Sequence, residues 1–244
     1  MIYIYIYMIL YLLIILIIIF FYKKKHFSLK KINEWINNNY NTFTSGYEPT
    51  YNPELWNSDN DIKQSHNCYS YALNTISDEL VDICENGNCD YINPQPGHHC
   101  CMTNRVNYDE TNCENLKNRI LCDNPDIYES EFENVCENNF YKIGLSVDPV
   151  TGKNKHPSYH FYRQNKNGLW SHKDGGGEAN LLDSDKDIIV NPQLSNRDFG
   201  KYNYSEWCGY FCVPDNKNLN MARNNYFKNK LHYPSDKNCT DGYV

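Results

Sequence analysis

Hydrophobic and polar positions divide this chain sharply at residue 22. The opening stretch, MIYIYIYMILYLLIILIIIFFY, contains no charged side chain. At about 1.5 Å rise per residue, a helix of this length crosses a hydrocarbon core of roughly 30 Å. Tyrosines near its start, and Phe20, Phe21 and Tyr22 near its end, suit the two interfaces. A secretory signal would carry a basic start, a shorter apolar core and a small-residue cleavage site. Residues 1–22 are therefore expected to be an uncleaved, single-pass anchor in a lipid bilayer. Beyond it, Leu29, Ile32, Trp35 and Ile36 recur at helical spacing and predict a short amphipathic helix. The stretch 41–62, rich in Tyr, Pro, Asn and Ser, reads as an extended linker that closes the segment 23–62.

The body of the chain begins with NCYSYALNTI (67–76), which reads as a helix with Asn67 as its N-cap. Residues 84–136 are studded with cysteines, carry the turn NPQPG at 93–97 and show little periodicity. They read as a loop-rich insertion whose core is too thin to stand without cross-links. Strand patterns then gather: FYKIGLSVD (140–148), YHFYRQ and GLWSHK around a polar turn, DIIVNP, and WCGYFCVP. A helix followed by mostly antiparallel strands is an α+β order. The domain is expected to span 63–214, with 215–244 as a C-terminal tail.

Composition adds compartment and partner to this picture. The 244 residues carry a net charge of −7 with no basic stripe in the body, which argues against a nucleic-acid partner. Eleven cysteines, seven of them between Cys84 and Cys136, read as a disulfide framework formed in an oxidising compartment. The sequons at Asn203 and Asn238 fit the same side of a membrane. Lys23, Lys24, Lys25, Lys30 and Lys31 point the other way, since basic residues directly after a span hold the C-terminal body in the cytoplasm. The side on which the body lies is left open, and so is the pairing of the cysteines. Cys208 and Cys212 lie four apart on one predicted strand and are expected to share a face.

The candidate chemistry starts at Cys68. A thiol at a helix start feels the positive end of the dipole, which favours thiolate, and the neighbouring N–H groups can receive the oxyanion of an acyl intermediate. The alternative is a small buried hydrophobe or half a disulfide. A thiol nucleophile needs a base, and the base needs a third group to fix its tautomer. His160 opens one strand of the aromatic hairpin and His172 closes the other. An odd loop puts both imidazoles on one face, and an even loop separates them. The turn Asn165-Lys166-Asn167-Gly168 suits a three-residue loop ending in a glycine bulge, which is odd.

A helix-borne Cys, a strand opening with His, and a second His twelve positions on resemble the NlpC/P60 branch of the papain-like cysteine peptidases. The wider pattern NCYSYA, PQPG, YHFYRQ, WSHK and GYFCV is similar to uncharacterised bacterial and large-DNA-virus proteins. The resemblance spans roughly residues 66–214 and is weakest in the cysteine-rich portion. It implies a papain-like core, with Cys68 as nucleophile, His160 as base and His172 as the orienting residue. It also implies hydrolysis of a peptide or other amide or acyl substrate through a thioester, without cofactor. Asn67 departs from the family, which places Asp before its cysteine, and so does the number of cysteines. A second reading is an inactive version of the fold, stapled by disulfides and used for binding at a membrane or virion surface. Two further features are weaker. His98 and Cys101 with Cys84 and Cys89 offer zinc-binding residue types at irregular spacing, where disulfides are the better reading. DSDKD (183–187) mimics a calcium loop but has Ile188 and Leu194 where glycine and an acid belong, so it reads as a solvated turn.

Overall fold

The computed structural model describes residues 43–89, 94–97, 99, 111–149, 156–215 and 219–221. The predicted anchor, the amphipathic helix, His98, Cys100, Cys101 and Asn238 lie outside them. Among the described residues no helix is long and apolar enough to cross a membrane.

The elements follow from local chemistry. Helix α1 (Pro53–Asn57) has proline in its first turn and Asn52 accepting from Leu55 N–H at its start. Helix α2 (Asn60–Ser65) is capped by Asp59, and α3 (Cys68–Ala72) by Asn67. Helix α4 (Asp78–Ile83) is capped by Ser77 and runs into a π turn over Cys84–Asn88. Helix α5 (Cys113–Asp123) is capped by Asn112. Six strands complete the order: β1 (Tyr128–Ser130), β2 (Phe140–Asp148), β3 (Ser158–Gln164), β4 (Trp170–Lys173), β5 (Ala179–Asn180) and β6 (Glu206–Pro214). They form one antiparallel sheet in the order β1-β6-β2-β3-β4-β5. The predicted α+β class stands.

The sheet is buried on both faces. On one, Ile143, Leu145, Val147, Phe161, Phe211 and Val213 pack against Cys68, Tyr69, Ala72 and Leu73 of the α3 segment and against Leu116 and Ile120 of α5. On the other, Tyr162, Trp170 and Tyr210 pack with Ile189, with Phe132 and Trp207 at the margin. Alternation along β3 assigns the residues between. Tyr159, Phe161 and Arg163 face the helices, Arg163 donating to the Tyr71 carbonyl at 3.0 Å. His160 and Tyr162 face the second layer.

Three expectations change here. The 41–62 stretch is no extended linker from residue 43 on. It contains α1 and the start of α2, Trp56 is 1% exposed, and Asn57 pairs through its amide with both backbone groups of Ala179. The cysteine-rich stretch is not all loop. Leu116, Arg119, Ile120 and Asp123 are buried at helical spacing along the 11-residue α5, so part of the central core comes from it. Cys208 and Cys212 do not share a face. Leu145 pairs with Gly209 but Ser146 pairs with Trp207, so Cys208 is the extra residue of a β-bulge and the alternation shifts by one. Cys208 bonds Cys113 of α5, while Cys212 bonds Cys136 in the β1–β2 connection. Cys84 bonds Cys89.

Candidate active site

Cys68 is the first residue of α3, and Asn67 sets the turn that carries it. The Asn67 side-chain oxygen accepts from Tyr69 N–H at 3.0 Å and Ser70 N–H at 3.3 Å, and Ser70 Oγ accepts from Asn67 N–H at 2.9 Å. This is a reciprocal cap. Its amide nitrogen also donates to the Pro94 carbonyl at 2.6 Å. That second bond accounts for Asn where the resembled family has Asp, because a carboxylate could cap the helix but could not donate to Pro94. The same cap corrects an expectation. The Ser70 N–H is committed to Asn67, and the Tyr69 N–H is shared between Asn67 and the Cys68 sulfur. A five-residue helix supplies little dipole besides.

The thiol is 6% exposed and unbonded to any other sulfur, whereas every other described cysteine is in a disulfide. Its sulfur lies at the backbone on either side of His160, 4.0 Å from the Tyr159 carbonyl oxygen and within reach of the Phe161 amide. Burial pushes the thiol up to about 12; the Phe161 amide, Lys173 and the Tyr69 amide pull against that shift without overcoming it. The expected depressed thiol is therefore not what this environment produces: desolvation outweighs the helix start. Sulfur and the His160 imidazole are not hydrogen-bonded to each other in this state.

The two histidines do meet. The β3–β4 loop is closed by Asn165 N–H donating to the Leu169 carbonyl at 2.8 Å and Gly168 N–H to the Asn165 carbonyl at 2.7 Å. Lys166-Asn167-Gly168 is thus the three-residue loop predicted from the turn residues, and Gly168 sits at φ 80° where a side chain would be strained. Tyr162 pairs with His172, so His160, two residues before Tyr162, lies diagonal to His172 on the same face. Both imidazoles are 2% exposed, and His160 Nε2 is 2.8 Å from His172 Nδ1.

The bonding fixes where the protons sit. His172 Nε2 lies 2.9 Å from the Leu182 carbonyl oxygen, which can only accept, so Nε2 carries the proton. His172 Nδ1 is then an acceptor, and His160 Nε2 must donate to it. The basic lone pair of His160 is left on Nδ1. Burial pulls both imidazoles below the ordinary histidine range, with His172 adding to the effect on His160 and the Leu182 carbonyl opposing it on His172. Aromatic rings complete the enclosure. Tyr204 stacks on His160 with centroids 4.9 Å apart, Tyr162 meets it edge-on at 5.1 Å, and Phe199 lies 5.6 Å from His172.

Several supporting residues give little sign in the sequence. Asp123, fully buried, accepts from Tyr69 Oη, Gly97 N–H and His99 N–H, which ties the PQPG turn to the Cys68 helix. Tyr159 donates from its hydroxyl to Gln95 in the same turn. Tyr204 is visible only as the middle of a sequon. Cys84 and Cys89 spend their sulfurs on each other, so they leave the candidate zinc set. Asp183 accepts from Asp185 N–H and Asp187 N–H, each at 3.0 Å, so its loop is a self-satisfied turn.

Comparison with known proteins adds one relative. The chain is 29% identical over 171 residues to the insoluble matrix shell protein 1 of Ruditapes philippinarum, covering 70% of this chain and 93% of that protein. No family model matches, and no solved structure matches.

Proposed function

We propose that the chain is a thiol hydrolase of papain-like type, tethered to a membrane by residues 1–22, with Cys68 as nucleophile, His160 as base and His172 as orienting residue. The observation that carries this reading is the hydrogen-bonded run from the Leu182 carbonyl through His172 to His160, which leaves a lone pair on His160 Nδ1 and nowhere else. A surface histidine needs no such arrangement, and a general base does.

In the proposed cycle Nδ1 takes the Cys68 proton as sulfur attacks an amide or other acyl carbonyl. The tetrahedral adduct collapses to a thioester, and the protonated imidazole gives its proton to the departing amine. Water then attacks the thioester, its proton passing through Nδ1 back to sulfur as the acid leaves. The first step requires sulfur, packed on the helix side of the sheet with Tyr159 and Phe161, and Nδ1, on a ring that faces the second layer, to meet at roughly 3–3.5 Å beside the His160 backbone. The test uses an acyl electrophile such as a peptidyl fluoromethyl ketone, followed by mass spectrometry. Labelling is expected at Cys68 alone, lost in His160→Ala. A Cys68 that stays unlabelled in the folded protein removes the hydrolase.

The shell relative favours a second reading, in which the same disulfide-framed domain serves as a matrix or surface-binding protein. Retention of the folded protein on an insoluble shell matrix, unchanged in Cys68→Ser, together with an inert Cys68, would support it.

A further inference from the structure

Lys173 follows His172 on β4 and is fully buried. Its ammonium donates to three backbone carbonyls: Lys63 at 2.7 Å, His66 at 2.6 Å and Gly175 at 2.6 Å. Two of these belong to the end of α2, where helical carbonyls lack partners and a cation is favoured. His66 stands two residues before Cys68. One side chain thus joins the turn that carries the thiol to the strand that carries the second imidazole. A glycine run continues the loop that offers the Gly175 carbonyl. A Cβ at Gly176 would come within 2.7 Å of Gln64 Oε1, and one at Gly177 within 2.7 Å of the Asp174 carbonyl oxygen. The end of the Gln64 side chain can swing aside, whereas the Asp174 carbonyl belongs to the backbone of the same loop, so Gly177 is the position that needs to lack a side chain for the loop to turn this tightly.

The charge on Lys173 is not answered by a bonded carboxylate; among the described residues no salt bridge reaches it. The ionisable groups that face it are Lys63 of α2, His66 in the α2–α3 junction, Cys68 of α3 and Asp174 of its own loop. Asp174 is the one acid among the groups that act on it, and His66 is held neutral by accepting from Ser77 N–H at 2.9 Å. The two imidazoles of the site are themselves buried and uncharged. Lys173 is consequently the cation available to a negative charge on the Cys68 sulfur.

We propose that Lys173 is a positioning residue of this site. Its ammonium fixes the Cys68 turn against the His172 strand and supplies the positive charge that the Cys68 sulfur needs when it ionises. The inference rests on the hydrolase reading for its purpose, but the ionisation it describes is measurable without any substrate. Burial brings Lys173 down to about 8, against a stabilising pull from Cys68 and Asp174, so its charge is present at neutral pH and lost in mild alkali.

That gives a distinctive profile. The rate of Cys68 alkylation by iodoacetamide, read by mass spectrometry on the intact disulfide-bonded protein, reports the thiolate fraction. Below about pH 8 it should rise tenfold per pH unit. Above that point each further thiolate costs the Lys173 proton that stabilised it, so the rate should flatten instead of continuing upward. In Lys173→Met the flat region should vanish, and the rate at pH 7 should fall at least about tenfold, the effect of one pKa unit. A wild-type profile that climbs log-linearly through pH 8–10 overturns the proposal, even if the variant does not fold. So does a flat region that persists in a folded Lys173→Met. If the profile has the stated shape but no acyl substrate is ever turned over, the hydrolase reading fails and the Lys173–Cys68 coupling stands.

Discussion

Replacing His172 by Phe tests the imidazole relay with the least disturbance to packing, since an aromatic ring still fills the space against Phe199 and Tyr162. Two polar groups lose their partner: the Leu182 carbonyl, which accepted from Nε2, and His160 Nε2–H, which donated to Nδ1. A buried group left unsatisfied costs about 1–3 kcal/mol, so two of them should cost about 2–6 kcal/mol of stability, toward the lower end because the Leu182 bond is only part-buried. The same quantity decides the tautomer. In the native protein the bond to His172 holds the His160 proton on Nε2, and 1–3 kcal/mol corresponds to a preference of roughly 5- to 150-fold. Without it His160 should become a mixture of tautomers, and the share with a basic Nδ1 should fall. The assay is long-range 15N–1H correlation on histidine-labelled protein, comparing wild type with the variant. Wild-type spectra should show both His160 and His172 neutral and protonated on Nε2 at neutral pH, because burial holds each below the ordinary range. A wild-type His160 protonated on Nδ1, or titrating near 6.5, refutes the relay. An unchanged His160 tautomer in His172→Phe refutes the role given to His172.

Three other substitutions have defined outcomes. Asn67→Asp keeps the cap but sets a carboxylate against the Pro94 carbonyl in place of the 2.6 Å donor, so a loss of about 1–3 kcal/mol is expected in denaturant unfolding; a neutral or stabilising change would detach Asn67 from the PQPG turn. A Cβ at Gly144 would stand 2.5 Å from the Trp207 ring, so Gly144→Ala should cost about 1–3 kcal/mol and shift the tryptophan near-ultraviolet dichroism, and an unchanged Tm contradicts that packing. His66 is brought by burial to about 4, below its value of roughly 6.5 in the unfolded chain; the unfolded state therefore binds the proton more readily, and the stability is whole above about pH 6.5 and lost by up to about 3 kcal/mol as pH falls toward 4. His66→Asn should unfold with a shallower slope in that window, and equal slopes would reject the assignment.

What is legible in the sequence is what is decided locally. The three-residue loop comes from Asn165 and Gly168, and once its parity is counted the meeting of His160 and His172 is geometry. The cap at Asn67 is equally local. The rest depends on partners far along the chain. The shift that separates Cys208 from Cys212 comes from one extra residue against β2, and nothing in WCGYFCVP announces it beyond a glycine. Helix α5 is hidden because half of its buried face is polar, Arg119 and Asp123 beside Leu116 and Ile120, and a periodicity sought in apolar residues cannot register such a stripe. Trp56 and Asn57 read as linker because the groups that fix them, Tyr71 and the backbone of Ala179, lie at contact distance but not at sequence distance.

The thiol carries the most instructive reversal, since the sequence correctly places Cys68 at a helix start while the sign drawn from that position is wrong. A helix start favours thiolate only where its N–H groups are free and the sulfur is wetted. Here the cap takes the Ser70 amide and shares the Tyr69 amide with the sulfur, and the sheet and α3 cover that sulfur, so burial outweighs what the helix start supplies. Neutral thiol and neutral imidazole are the consistent resting pair, because a buried ion pair has to recover two desolvation penalties through its mutual attraction. On the proposed chemistry, charge then separates only while an electrophile is bound. The groups that meet it are already in place: an acceptor on His160 Nδ1, a partner for the other ring nitrogen, and one buried ammonium three carbonyls deep on the Cys68 side of the sheet. An exposed thiolate beside so many disulfides would exchange with them. Burial of Cys68 thus protects the framework at the expense of resting reactivity.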